Sequence, residues 1–160
     1  MRRNLLFVGA LALLAGCSGG SVAPLPTAAQ LRAVPLSLGV SGKTLKGETF
    51  LWRDLMPTVI EPGSPAPKRG VIVSFTVKAE DNTPIPSGLQ AEKITITNGD
   101  EVWASSEVEL RSDASSFGGV VRNGPEWEVG SSVDVVVDFR STVGSAQQLR
   151  AIGQIVQGAY

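Results

Sequence analysis

Along most of the chain, apolar and polar residues alternate with a period of two, the repeat of a strand whose side chains point to opposite faces in turn. The clearest run is GVIVSFTVKAE, where Val71, Val73, Phe75, Val77 and Ala79 share one face, and Ile72, Ser74, Thr76, Lys78 and Glu80 the other. VDVVVDF repeats the pattern, with Val133, Val135, Val137 and Phe139 on the face expected to be buried and Asp134 and Asp138 on the other. Shorter alternations occur in VPLSLGV, GETFLWRDLMP and LQAEKITIT, and EVWASSEVELRS sets Val108 and Leu110 against Glu107, Glu109 and Arg111. The last segment, SAQQLRAIGQIVQ, fits two templates. Leu149, Ala151, Gly153 and Ile155 make a strand face, whereas Leu149, Ile152 and Val156 make a helical stripe. Gly153 would cost a helix interior ~1 kcal/mol relative to Ala, which favours the strand.

Turn chemistry separates these runs. EPGSPAPK holds Pro62, Pro65 and Pro67 and is expected as loop or exposed edge, because proline donates no ladder hydrogen bond. DNTPIPSG is a turn cluster, and Asn98-Gly99 is a hairpin signal for a type I′ turn. About seven short strands with such spacing predict an all-β sandwich. The stretch from 69 to 157 resembles bacterial immunoglobulin-like and fibronectin-type-III-like envelope domains. It has an inward-alternating strand, a Pro-rich turn, a Gly hairpin and the late VGSSVDVVVDF strand. The resemblance implies an antiparallel sandwich, and the period-two register places Val73, Phe75, Val135 and Val137 in its central core. Asp138, on the opposite face, is expected to be solvated and nearly neutral for stability.

The N-terminus reads as an address. Arg2 and Arg3 precede LLFVGALALLAG, an uncharged run long enough for an export signal and short of the ~20 residues that span a bilayer. Leu14-Ala15-Gly16-Cys17 resembles the lipobox of bacterial lipoproteins. The resemblance implies cleavage after residue 16 and a diacylglycerol on Cys17, which holds the protein on a membrane. Ser18, where a retention signal would place Asp, favours the outer membrane. SGGSVAPLPTAAQ then reads as a tether. Thr27 and Gln30 have capping-box spacing, but Pro35 follows too soon for more than a turn or two. The expected division is therefore signal 1–16, lipidated cysteine and tether 17–30, and β-sandwich 31–160.

Composition narrows the chemistry. Removing Arg2 and Arg3 from the 14 basic residues leaves 12 against 15 acidic, a net charge of −3. The charges are scattered without a basic stripe, which argues against nucleic acid as a partner. The chain has no histidine and one cysteine, so a Ser-His-Asp or Cys-His triad, a disulfide and a Cys-His zinc site are excluded by count. Asp134 and Asp138 stand ~13 Å apart along an extended strand, too far to share a metal or to act as a glycosidase pair. Turn formation accounts for Asp81, Asn82, Asn98 and Asp100 without a calcium ion. The expectation is a chain with no cofactor, no bound metal and no enzymatic activity, insensitive to chelators and to pH between about 6 and 8.

What remains is binding. Trp52, Trp103 and Trp127 are candidate contact residues, since indole rings stack on sugars and anchor protein partners. The leading expectation is a membrane-anchored, non-catalytic envelope module with a protein or glycan partner. The alternatives are a carbohydrate-binding or adhesion domain, and an inhibitor or chaperone acting by strand addition or loop presentation.

Overall fold

The computed structural model describes residues 24–59, 63–66, 68–141 and 146–160. The signal segment, the lipobox and Cys17 lie outside the described residues. Among the described residues the chain forms one short helix, α1 (Ala28–Arg32), and nine strands. The strands are β1 (Ser37–Val40), β2 (Lys43–Asp54), β3 (Val71–Ala79), β4 (Leu89–Asn98), β5 (Glu101–Ser105), β6 (Glu109–Ser112), β7 (Ser116–Val121), β8 (Ser132–Ser141) and β9 (Ala146–Ala159). They make a curled sheet in the order β5-β4-β8-β9-β2-β3-β7-β6, with β1 paired to β2. The all-β expectation holds. The expected seven strands become nine, and the sheet is mixed, because β9 runs parallel to β2 through Leu51–Val156 and Trp52–Gln157.

The inward rows follow the period-two pattern closely. Val71, Val73, Phe75, Val77 and Ala79 of β3 and Val133, Val135, Val137 and Phe139 of β8 are all buried in one core. The curl brings β7 over β8, so that the rings of Phe117 and Phe139 lie 5.3 Å apart across it.

β9 is a strand, and it departs from regular alternation at one point. Val133 pairs with Gln154 and Val135 with Ala151, so Ile152 and Gly153 together oppose Asp134. This is a β-bulge. Gly153 takes the left-handed conformation (φ 62°), and its N–H donates to Asp134 Oδ1 at 3.0 Å. The extra residue shifts the phase. Ile155, inward in an unbroken strand, is 50% exposed, and Val156 is buried in its place. Beyond the bulge Gln154 and Ile155 still pair with Val133 and Ser132, and from Val156 β9 joins β2.

Two turns also differ from expectation. The hairpin with positive φ at both central residues is Ser41-Gly42 (φ 50° and 78°), the requirement of a type I′ turn. Asn98 stays in β4, paired with Glu101, and only Gly99 (φ 61°) is left-handed. The segment EVWASSEVELRS is two strands rather than one. Glu107 N–H donates to Ser105 Oγ and Val108 N–H to Ser106 O, which bends the chain. Three residues then carry it from the β4 side of the sheet to the β7 side.

The outer face of β8 is covered. Thr27 Oγ1 accepts from Gln30 N–H and Gln30 Oε1 from Thr27 N–H, so the capping box forms, and α1 begins within the stretch read as tether. Leu31 and Val34 pack on Val136, which is fully buried between the two aspartates. Asp138 is not a free solvated carboxylate either. Only 16% of its side chain is exposed, Lys93 Nζ stands 3.1 Å away and Gln148 Nε2 donates to it at 2.6 Å.

Leu31→Ala should lower the unfolding free energy by about 2–5 kcal/mol in urea denaturation. A tether residue would give a change near zero. Gly153→Ala should cost about 1–2 kcal/mol in the same measurement, because a Cβ disfavours positive φ even where the space beside it is open.

Candidate functional site

The curl does not close. β4 pairs with β8 on one side along its whole length, but β5 covers only Ile94–Asn98 on the other. Residues 89–93 of β4 thus have no strand beyond them among the described residues. β6 pairs with β7 alone, and all four of its residues are exposed. The start of β4 and the edge of β6 face each other across a seam, bridged at one end by the hydrogen bond from Ile85 N–H to Ala114 O at 3.3 Å.

The seam encloses a cavity of about 490 Å³, within the range of ligand pockets. Its apolar lining comes from Ile85, Leu89, Ala91, Leu110 and Phe117, and Arg111 stands among the polar groups. Leu110 is the informative residue. It pairs with Gly119, in the same inward row as the buried Phe117 and Val121. A leucine in that register belongs to a core, yet it is 53% exposed, because the seam beside it is open. The neighbouring Glu109 is paired with Arg122 at 2.9 Å. The Arg111 guanidinium has no ion-pair or hydrogen-bond partner among the described residues.

The three tryptophans do not converge on the seam. Trp52 lies on the outer face of β2, its ring 5.4 Å from that of the exposed Phe50. Trp103 and Trp127 share one end of the molecule and pack against the core. Trp127 Nε1 donates to Glu101 Oε2 at 2.6 Å, and the loop behind it is held by Arg53, whose Nη1 donates to Trp127 O at 3.1 Å. Two of the indoles therefore close the end of the core, and the third packs against Phe50 on the sheet surface.

No family model matches the chain, and no curated protein or solved structure matches it.

Among the described residues no three Asp, Glu, His or Cys side chains cluster as metal ligands. The two most perturbed carboxylates are occupied by turns. Asp113, on the seam wall, accepts from the N–H and hydroxyl of Ser115 and of Ser116, at 2.7 to 3.0 Å. These bonds, those of Ser115 foremost, hold its pKa down to about 2. Asp81 is held to about 2 chiefly by the hydroxyl and N–H of Thr83, with Lys43 adding to the effect. Both side chains brace loops rather than offering open oxygens.

Alternation in the sequence puts Leu110 and Arg111 on their correct faces and gives no reason to single them out. The signal that matters is the break at Ser106–Val108, which places β6 at an edge.

The sign of the acid response follows from the lowered pKa of Asp113. Its hydrogen bonds contribute stability that is fully present above the ordinary value of 3.8 and is lost as pH falls toward 2. Thermal melts of Asp113→Asn should therefore lose less between about pH 4 and pH 2 than wild type does. Equal losses would remove Asp113 as a source of the acid response.

Proposed function

We propose that the chain is a lipid-anchored, non-catalytic binding module of the bacterial cell envelope, held through Cys17 and favouring the outer membrane. In this reading the fold is an immunoglobulin-like sandwich, and the seam between β4 and β6 is the face that engages an envelope partner. The observation that carries the binding role is Leu110, an inward-register leucine left half exposed over a cavity of about 490 Å³. Burying it against a partner removes apolar surface from water at roughly 25 cal/mol per Å². The sandwich reading is supported by the facing rows of β7 and β8, and the parallel β2–β9 pairing is its departure from an all-antiparallel arrangement. The address rests on Leu14-Ala15-Gly16-Cys17 and Ser18.

Two measurements test the two halves of this reading. Labelled palmitate should tag wild type, and Cys17→Ser should abolish the label and release the protein from the membrane fraction. A Cys17→Ser protein that stays labelled and membrane-bound overturns the anchor. A benzoylphenylalanine crosslinker in place of Leu110 should give adducts in intact cells. The same group in place of Ile152, exposed on the bulge away from the seam, should give none. Absence of adducts at Leu110 overturns the binding face.

A further inference from the structure

The seam has a backbone requirement as well as an apolar one. The open edge of β6 and the first residues of β4 each present a row of amide and carbonyl groups with no neighbouring strand among the described residues. Such rows are templates for another strand. Side chains of an added strand alternate between the inner and outer faces of the sheet, as those of β6 do. Those opposite Leu110 and Ser112 would point inward, toward Leu89, Ala91 and Phe117. The side chain opposite Arg111 would point outward, beside the guanidinium. Three acidic side chains near the seam are matched by cations. Glu109 is held by Arg122, Glu92 by Arg140 and Asp138 by Lys93. Arg111 is a cation on the edge strand with no carboxylate supplied by the described residues.

We propose that the seam takes an extended peptide segment of a partner protein, paired along the open edge of β6, with alternating apolar and acidic residues. The apolar side chains complete the core beside Leu110, and an acidic side chain sits across from Arg111. This rests on the reading of the seam as a binding face and names the chemistry of what fills it. Backbone pairing gives the affinity, and the two alternating faces give the selectivity. Opposite charges directly across two strands attract, and like charges repel by similar amounts.

The test uses the full chain purified in detergent and three fluorescein-labelled, capped nonapeptides read by fluorescence anisotropy. One alternates Val and Glu, one alternates Val and Lys, and one is the Val/Glu peptide with its central residue replaced by proline. The Val/Glu peptide should bind about five- to tenfold tighter than the Val/Lys peptide. Proline at the centre should weaken it at least about tenfold, because proline lacks the N–H that the edge requires. Arg111→Glu should reverse the preference between the Glu and Lys peptides, and Leu110→Ser should weaken both. Both residues are exposed, so neither substitution threatens the fold. Equal binding of the Glu and Lys peptides, or indifference to the proline, overturns the proposal. Two other results overturn it in favour of a different occupant. One is a dimer in light scattering that Leu110→Lys abolishes and the peptide does not disperse. The other is laurate binding at the seam while all three peptides fail. If the peptides fail but the Leu110 adducts form in cells, the binding face stands and only the chemistry of its occupant falls.

Discussion

The hydrogen bond from Gly153 N–H to the Asp134 carboxylate fixes the bend on which both halves of the sheet depend. Up to Ile155 β9 pairs with β8, and from Val156, two residues past the bulge, it pairs with β2. One strand thus belongs to both halves, and the bulge turns it from one to the other. Glycine permits the left-handed backbone at that point, and the aspartate satisfies the amide that the bulge takes out of the ladder. The same extra residue sets which side chains are buried in the last part of the sheet. It brings Gln154 inward to accept a hydrogen bond from Thr49 and places Val156 in the core beyond it.

Closure on that side makes the opening on the other side matter. The sheet path begins at β5 and ends at β6, two strands joined by only three residues. So short a crossing forces the ends of the path close together in space, yet β5 reaches only the second half of β4. The first half of β4 and all of β6 are left facing each other with a cavity between them. The curl itself, rather than a loop or a cleft between domains, makes the candidate site. Its chemistry is sparse: one half-exposed leucine, an apolar floor, Arg111 and the turn-bound carboxylate of Asp113.

The surface charges make the same contrast. Lys46 with Glu80, Lys78 with Glu48 and Arg140 with Glu92 pair across neighbouring strands or at their ends. Each exposed pair contributes at most ~1 kcal/mol, so their main effect is to leave the outer faces polar and self-matched. Against that background the half-exposed Leu110, with Arg111 beside it at an open edge, stands out as a place where the described chain does not complete itself.

Period-two alternation alone determined the all-β class and most of the core. Val71 to Ala79 and Val133 to Phe139 show their inward faces in the sequence because each strand buries one face and repeats every second residue. The absence of histidine and the single cysteine likewise limit the chemistry by count alone. Three features required the tertiary structure. The bulge at Gly153 is not visible in the sequence, because a glycine in a strand pattern does not say which neighbour will accept its N–H. The burial of Val136 depends on α1, a helix too short to be stable alone, which forms where Leu31 and Val34 find the outer face of β8. The seam depends on where strands lie relative to one another. Local alternation gives the face of Leu110 correctly, but whether that face meets another strand or open space is decided by contacts between segments far apart in the chain.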